Sequence, residues 1–421
     1  MEEFHYREGE LWCEDVALSQ IASQVGTPFY CYSAAHLDRR FRAYEEAFGS
    51  RDHLVCFAVK ANSNLAVLGL LAGLGAGADI VSGGELYRAL KAGISPDRIV
   101  YSGVGKSRRE MKEALKAGIF MFNVESEQEL EALSQTARQL GTKARIAFRV
   151  NPDVDPKTHP YISTGLKENK FGIPMERALA AYRRASEMEG IQVTGIDCHI
   201  GSQLTEIQPF LDAFQRLCRL IKELEGQGIR IEAIDIGGGL GIRYGDETPP
   251  EPGEYIGQLL ETADSQGLDQ TIIVEPGRSI CGNAGALVTE VLYTKENSEK
   301  GFVIVDAAMN DLARPSLYQA YHEILPCRQP GGDTDMGSRV DIVGPICETG
   351  DFLAKARPMP PLAQGDLLAV MSAGAYGFTM SSNYNSRPRA AEVMVAGDRF
   401  KVVRRRESYE DLVRLESLFT D

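Results

Sequence analysis

Short apolar runs recur along the chain between residues 54 and 276, and polar or glycine-rich residues bound them. Segments with helical spacing lie between the runs; in the clearest one, from Glu206 to Glu225, apolar residues recur three or four positions apart. Eight alternating strand–helix units predict a (β/α)8 barrel of the TIM type; an open, doubly wound sheet is the less favoured alternative. The predicted strands are Leu54–Val59, Ala78–Val81, Arg98–Ser102, Ile119–Val124, Ala144–Val150, Val193–Ile200, Ile231–Ile236 and Thr271–Glu275.

The pattern changes after residue 280. Gly, Pro and Asp separate short apolar runs such as Leu287–Tyr293 and Ala391–Val395, and helical periodicity is weak. This pattern predicts a second, all-β domain of barrel or sandwich type. The stretch Phe29–Tyr32 also has the composition of a strand and is expected to pair with that domain. We therefore predict a barrel over residues 34–280 and a β domain made of residues 1–33 and 281–421.

Composition and charge narrow the possible classes of function. The net charge of −14 argues against non-specific binding to nucleic acid or to an anionic membrane surface. No apolar stretch approaches the ~18 residues of a membrane span, and the N-terminus lacks the apolar segment of a signal peptide, so a cytoplasmic protein is expected. No metal site is predicted, because there is no C-x-x-C pair and the adjacent Cys198 and His199 would point to opposite faces of a strand.

Polar or glycine-rich residues close seven of the eight predicted strands. In a (β/α)8 barrel the carboxyl ends of the strands meet at one face, and catalytic residues lie there. Packing alone does not readily account for seven such strand ends. The residues are Lys60, Ser102, Asn123, Arg149–Asn151, His199 with Gly201 and Ser202, Gly237–Gly239, and Glu275–Arg278.

Lys60 and the glycine-rich loops together indicate a site for pyridoxal phosphate (PLP). Lys60 follows a buried strand, and an amine in apolar surroundings suits Schiff-base chemistry; taken alone, Lys60 is more simply a surface lysine. Gly237–Gly241 follow the seventh strand, and Gly277 and Arg278 follow the eighth. Barrels commonly bind phosphate through the backbone of these two loops. A reactive lysine and a phosphate site at one barrel mouth point to PLP.

Three further side chains suit this cofactor. Glu275 ends a buried strand, where a carboxylate needs a partner. That partner is either an arginine or the pyridine nitrogen, which Glu275 would keep protonated. His199 can lie flat against the cofactor ring, although a lone histidine at a strand end is more often structural. Asp79, inside the second strand, also needs a partner, and His199 is a candidate.

The chain resembles the alanine-racemase-like, or fold-type III, PLP-dependent decarboxylases on six stretches that occur in the family's order. Thr349 stands where serine is more common in that family, which leaves the neighbouring thiol and carboxylate in place. A further stretch, His159–Gly165 followed by Lys170–Gly172, resembles the branch that acts on diaminopimelate. The six stretches are Phe57–Asn62, His199–Gln203, Asp235–Gly241, Glu275–Arg278, Gly344–Asp351 and Gly374–Gly377.

The resemblance implies an enzyme that converts meso-2,6-diaminopimelate to L-lysine and carbon dioxide, the last step of lysine biosynthesis. It implies that Lys60 carries PLP, that Cys347 returns a proton to Cα, and that Glu348 binds the distal amine of the substrate. It also implies a homodimer in which the segment of Cys347 and Glu348 reaches the barrel of the partner subunit. The other residues implied are Asp79, His199, Ser202, Gly238, Gly239, Glu275, Pro276, Gly277, Arg278 and Tyr376 around the cofactor, and Arg278, Arg314, Tyr318 and Tyr376 around the substrate.

Three alternatives stay open. The first is an ornithine, arginine or carboxynorspermidine decarboxylase of the same fold. The second is an amino-acid racemase, which would pair the lysine with an opposing tyrosine and lack a Cys-Glu segment of this kind. The third is a non-catalytic PLP carrier, and such carriers are usually a barrel without a β domain.

Overall fold

The computed structural model describes residues 3–154, 170–330 and 339–419. The chain forms two compact units. Residues 38–242 and 248–280 make up one, here the barrel unit, and residues 1–37, 243–247 and 281–421 make up the other, here the β unit. The stretch His159–Gly165, which resembles the diaminopimelate branch, lies outside the described residues.

The barrel unit contains a closed sheet of eight parallel strands, which confirms the fold predicted from the apolar pattern. Strands that follow one another along the chain are neighbours in the sheet, and the last pairs with the first through Ile272–Val274 and His53–Val55. A two-residue strand, Ile173–Pro174, adds to the fifth strand. The eight strands are β1 (His53–Ala58), β2 (Gly77–Ile80), β3 (Ile99–Tyr101), β4 (Met121–Val124), β5 (Ala144–Asn151), β6 (Ile191–Asp197), β7 (Ala233–Asp235) and β8 (Thr271–Val274).

Helices lie between these strands, and serine hydroxyls cap several of them. The Ser82 hydroxyl accepts a hydrogen bond from the Glu85 amide, and the Ser126 hydroxyl accepts one from Glu129, which satisfies amides that have no partner inside the helix. The helices of this part of the chain are Ala34–Phe48, Leu65–Gly73, Gly83–Lys91, Pro96–Arg98 (3-10), Arg108–Ala117, Glu127–Gln139, Met175–Glu187, Gln208–Glu225, Pro252–Ser265 and Arg278–Cys281.

Two layers of side chains lie inside the barrel. The first is an apolar cluster of Leu54, Cys56, Val100, Met121, Ala147, Ala233 and Ile273. Side chains two positions apart on a strand point the same way, so the residues two positions after Val100, Met121, Ala147, Ala233 and Ile273 belong to the next layer toward the carboxyl ends. The strand register adds Asp79, which pairs with Ala58, and Asp197, which pairs with Asp235. That layer is polar and buried, and it places chemically active side chains at the barrel mouth. Its members are Asp79, Ser102, Asn123, Arg149, Asp197, Asp235 and Glu275.

Most predicted strand boundaries differ from the observed ones by one or two residues, and the largest difference, three residues, is at the end of the sixth strand. β6 ends at Asp197 and not at Ile200, so Cys198 and His199 lie in the loop that follows the strand. The apolar pattern does not reveal this end, because Cys198 and Ile200 are buried in the loop as deeply as strand residues are.

A large mixed sheet forms the centre of the β unit. Phe29–Ser33 lies between two of its strands, antiparallel to Gly285–Glu296 and parallel to Ala391–Ala396, so the N-terminal strand pairs as predicted. The other strands of the unit are Phe4–Arg7, Glu10–Cys13, Val16–Ala17, Gly301–Val305, Ile324–Pro326, Arg339–Val343, Phe352–Pro358, Leu367–Val370 and Arg399–Arg404; its helices are Leu18–Val25, Arg314–Tyr318, Tyr409–Val413 and the 3-10 turns Phe378–Met380 and Tyr384–Ser386.

Three classes of feature are absent from the described residues. None of their helices combines the length and the hydropathy needed to cross a membrane. They contain no group of three or more His, Cys, Asp or Glu side chains that could hold a metal ion. All eight cysteines are free thiols, and each is buried except Cys347.

Candidate active site

Lys60 lies just beyond the carboxyl end of β1, and its amine forms an ion pair with Asp79 on β2. The register of the two strands, which sets Ala58 beside Asp79, brings the two side chains together. Asp79 is fully buried, whereas 36% of the Lys60 side chain is exposed. The surroundings of the amine are therefore charged and partly solvated, so the prediction of apolar surroundings is wrong. The structure gives Asp79 the amine of Lys60 as a partner, where the sequence suggested His199.

Glu275 follows β8 and is buried among polar groups of the same layer. Its carboxyl accepts a hydrogen bond from the Ser102 hydroxyl at 3.2 Å, and the Asn123 amide nitrogen lies 3.4 Å away. Burial, and then the nearby Asp235 and Asp79, raise the pKa of the Glu275 carboxyl well above its ordinary value. A hydrogen-bond donor or a cation at the barrel mouth would therefore stabilise the buried Glu275 carboxyl.

His199 follows β6 and is held as a neutral ring. Its Nδ1 accepts a hydrogen bond from the Gly238 amide at 3.1 Å, so in the neutral ring the proton lies on Nε2. Burial, and then the positive charges of Arg149 and Lys60, lower the pKa of His199 well below its ordinary value. An uncharged, oriented imidazole is suited to stacking against a flat ligand.

Glycines allow the backbones of the loops after β6, β7 and β8 to pack directly against one another. A Cβ atom at Gly238 would lie 2.2 Å from the Glu275 carbonyl oxygen. One at Gly239, where φ is +116°, would lie 2.4 Å from the Gly201 carbonyl oxygen. Both contacts are with backbone, which cannot move aside as a side chain can, so no other residue fits without shifting a loop.

Arg278 links two of these loops. It begins the short helix after β8, and its guanidinium donates a hydrogen bond to the Ser202 hydroxyl at 3.0 Å. Pro276 accepts a backbone hydrogen bond from Ala58 at 3.1 Å, which ties the same loop to the end of β1. The structure thus brings Ser202, Gly238, Gly239, Pro276, Gly277 and Arg278 together on the loops of one barrel face.

Asp197 and Asp235 belong to the site, although neither was predicted to have a role in it. Both are buried, and burial is the main cause that raises the pKa of each carboxyl well above its ordinary value. The Asn123 amide donates to Asp235 at 3.0 Å and so connects it to Glu275. Their spacing could have identified them from the sequence. Asp197 lies two residues beyond Gly195, and Asp235 lies two residues beyond Ala233, and both of these small residues face into the barrel.

The β unit carries the remaining predicted residues. Arg314 is buried and begins a short helix that ends at Tyr318. Tyr376 has a left-handed backbone with φ of +55°. Cys347 and Glu348 are exposed on a turn that Asp351 holds, since its carboxylate accepts from the Ile346 and Met309 amides at 2.8 and 2.7 Å. The roles of these residues in the reaction stay predictions.

The barrel residues fit PLP in chemical type. They supply an amine for its aldehyde, a neutral ring to stack, a buried carboxyl for the pyridine nitrogen, and glycine amides with a guanidinium for the phosphate. In addition, Oδ1 of Asp79 and Oδ1 of Asp197 are buried without a hydrogen-bond partner among the described residues. Buried polar atoms of this kind are suited to a site that binds a polar ligand.

Comparisons with known proteins identify the family of the chain. The family model of the pyridoxal-binding domain of pyridoxal-dependent decarboxylases matches residues 34–282. Diaminopimelate decarboxylase of Pseudomonas aeruginosa is 58% identical over 99% of both chains, and that of Vibrio cholerae is 54% identical over the full length of both. The crystal structure of diaminopimelate decarboxylase from Helicobacter pylori complexed with L-lysine superposes with a TM-score of 0.90, at 47% identity over 94% of this chain and 98% of that one. The chain therefore belongs to the pyridoxal-dependent decarboxylases and, within them, to the diaminopimelate decarboxylases.

Proposed function

We propose that this chain decarboxylates meso-2,6-diaminopimelate to L-lysine and carbon dioxide, with PLP as its cofactor. The observation that carries the proposal is the convergence of Lys60, Glu275 and the glycine loops on the carboxyl ends of one barrel. This reaction is the last step of lysine biosynthesis by the diaminopimelate pathway.

Lys60, His199 and Glu275 are proposed to hold the reactive part of the cofactor. PLP, when bound, accepts the electron pair that loss of carbon dioxide leaves on Cα. Lys60 would bind PLP covalently, and its ion pair with Asp79 fixes the amine at the barrel mouth before binding. Glu275 would face the pyridine nitrogen, and the neutral His199 would pack against the ring.

The phosphate is proposed to bind to the loops after β6, β7 and β8. Ser202 would contribute a hydroxyl, Gly239 and Gly277 backbone amides, and Tyr376 a phenol. Gly238, whose amide donates to His199, would let the loop pack close to the phosphate. The support is the close packing at Gly238, Gly239 and Gly277, where a Cβ atom would collide with its neighbours. Without side chains there, backbone amides can approach a phosphate closely. Pro276 and Arg278 complete the loop after β8.

Substrate choice is proposed to depend on charge. Arg278, Arg314 and Tyr318 would bind the distal carboxylate, and Glu348 would bind the distal amine with Tyr376 nearby. Ornithine and arginine lack the distal carboxylate, so binding them would leave buried cationic groups unpaired, which is costly. Cys347, an exposed thiol, would return the proton to Cα.

We further propose a homodimer in the cytoplasm. Cys347 and Glu348 are exposed on their turn, which suits a segment that completes a site on a second subunit. Free thiols throughout the described residues are typical of a reducing compartment.

A substrate panel tests the activity. The purified, PLP-loaded enzyme is supplied in turn with meso-2,6-diaminopimelate, L-ornithine, L-arginine and carboxynorspermidine, and carbon dioxide and amine products are measured. We expect L-lysine and carbon dioxide in equal amounts from diaminopimelate, at a rate well above that of the other substrates. Faster turnover of one of the others would place the chain in a different decarboxylase branch, and racemisation without carbon dioxide would indicate a racemase.

A further inference from the structure

A buried histidine contacts Arg314 inside the β unit. The Arg314 guanidinium lies 2.8 Å from Nε2 of His322, and Nδ1 of His322 lies 2.8 Å from the Met371 carbonyl oxygen. His322 is fully buried, and Arg314 is 7% exposed.

The chemistry of these partners fixes the state of the ring. A guanidinium can only donate, so Nε2 of His322 accepts and carries no proton. A carbonyl oxygen can only accept, so Nδ1 carries the proton and donates to Met371. His322 is therefore a neutral imidazole in a single tautomer, with both nitrogens in use.

Tyr244 holds the same guanidinium from a second direction. The Arg314 guanidinium carbon lies 4.5 Å from the centre of the Tyr244 ring, and that ring packs edge to face against His322 at 5.2 Å. The planar guanidinium is thus held through one edge by His322 and through one face by Tyr244. His322 and Tyr244 are uncharged, so neither of these two contacts places a negative charge beside Arg314.

We infer that His322 is a positioning residue that orients Arg314 for the distal carboxylate of the substrate. The inference rests on the proposed function, which assigns that carboxylate to Arg314. A carboxylate in place of His322 would orient the arginine equally well but would compete with the substrate for its charge. A neutral acceptor orients the guanidinium in advance without adding a negative charge that would compete with the substrate, which favours binding because less ordering remains to be done.

The test compares two ligands that differ in the distal carboxylate. L-lysine keeps this group, and 1,5-diaminopentane lacks it. Inhibition constants of both are measured against meso-2,6-diaminopimelate for the PLP-loaded wild type and for His322→Leu, His322→Asn, His322→Gln and Arg314→Leu, with PLP content and melting temperature as checks on folding. His322→Gln retains an acceptor for Arg314 together with a donor for Met371. His322→Asn keeps a donor but is too short to reach Arg314.

We expect His322→Leu and His322→Asn to weaken L-lysine about tenfold, the value of one hydrogen bond to a charged group, and to leave 1,5-diaminopentane unchanged. KM for diaminopimelate should rise by a similar factor while kcat changes little, and His322→Gln should stay within about threefold of the wild type. If His322→Leu does not fold, His322→Asn carries the same comparison.

Two results would overturn the inference: equal weakening of both ligands, or no weakening of L-lysine in the His322 variants. If Arg314→Leu abolishes the preference for L-lysine and the His322 variants keep it, only the role of His322 is wrong. If Arg314→Leu also keeps the preference, the assignment of Arg314 falls and the role of His322 with it. A wild type that does not decarboxylate diaminopimelate would overturn the proposed function itself.

Discussion

Three carboxyl side chains crowd one end of the barrel. Asp197 and Asp235 end the neighbouring strands β6 and β7, and Glu275 directly follows β8. Burial is the main cause that raises the pKa of each carboxyl above its ordinary value. Arg149 offsets part of this effect for Asp197 and Glu275. Burial therefore disfavours ionisation of these carboxyls, and an incoming cation, such as a protonated pyridine ring, would favour it.

This crowding predicts that Asp197→Asn stabilises the PLP-free protein, and more so at high pH. A carboxyl with a raised folded pKa contributes fully to stability below its unfolded pKa of about 4, and loses that contribution as pH rises through the folded pKa. Asparagine does not titrate, so the melting temperature of Asp197→Asn should exceed that of the wild type by at least about 2 °C at pH 8, with a smaller gap at pH 5.

Asp269→Asn is the control for this prediction, because Asp269 is exposed in the same unit. Its melting temperature should follow that of the wild type at both pH values. A gap for Asp197→Asn that narrows as pH rises would contradict the assignment of a raised pKa.

Residue positions were more predictable than residue partners. The sequence places Lys60 and Glu275 near strand ends, as observed, because the ends of apolar runs can be read from a single chain, whereas it extends the sixth strand three residues too far, past His199. The ion pair between Lys60 and Asp79 depends on the register between β1 and β2, which no local pattern encodes. The apolar surroundings expected for Lys60 were wrong for the same reason.

Among the elements of the barrel, the loop after β7 packs so closely against its neighbours that Gly239 has no room for a side chain. Gly239→Ala would add a Cβ atom 2.4 Å from a backbone oxygen in a left-handed conformation. We expect PLP affinity to fall about tenfold or more, since the strain is of the order of 1–3 kcal/mol and displaces the proposed phosphate loop. Titration of the PLP-free protein with PLP measures the change.

Gly257→Ala is the matched control. Gly257 lies in the helix Pro252–Ser265, and an added Cβ atom there meets nothing within 4 Å. Alanine also suits a helix better than glycine, so PLP affinity should be unchanged and stability equal or higher. PLP affinity of Gly239→Ala equal to that of Gly257→Ala would remove the loop from the proposed phosphate site.

Strands and helices were predictable because apolar residues form short continuous runs in the buried strands and recur three or four positions apart in the helices. The run of spaced apolar residues from Glu206 to Glu225 becomes the helix Gln208–Glu225. Strand ends were less predictable where residues stay buried after the strand hydrogen bonds have ended, as Cys198 and Ile200 do after Asp197. The two-residue strand Ile173–Pro174 had no signal, because two residues are too few to show a period.

At the scale of the whole molecule, the closed barrel follows from counting strand–helix units, because consecutive parallel strands are usually neighbours. The order of strands in the β unit does not follow in this way. Phe29–Ser33 pairs with segments more than 250 residues further along the chain. Its strand composition was visible in the sequence, but the choice of neighbours depends on the fold of the entire unit.

The proposed shared sites of a homodimer predict complementation. Lys60→Ala and Cys347→Ala should each be nearly inactive. When both variants are unfolded and refolded together, half of the dimers carry one subunit of each kind, and each such dimer has one intact site. About a quarter of wild-type activity should therefore return. A mixture that forms dimers and stays inactive would indicate that Lys60 and Cys347 of the same subunit act together.

The proposed function depends above all on Lys60 binding PLP at the mouth of the barrel. Reduction of the PLP-loaded enzyme with borohydride, followed by peptide mass mapping, tests it most directly. We expect PLP to be attached to the peptide that contains Lys60, and we expect Lys60→Ala to show no attached PLP and no carbon dioxide from diaminopimelate. Attachment to another lysine in the wild type, or covalent PLP with continued decarboxylation in Lys60→Ala, would contradict it.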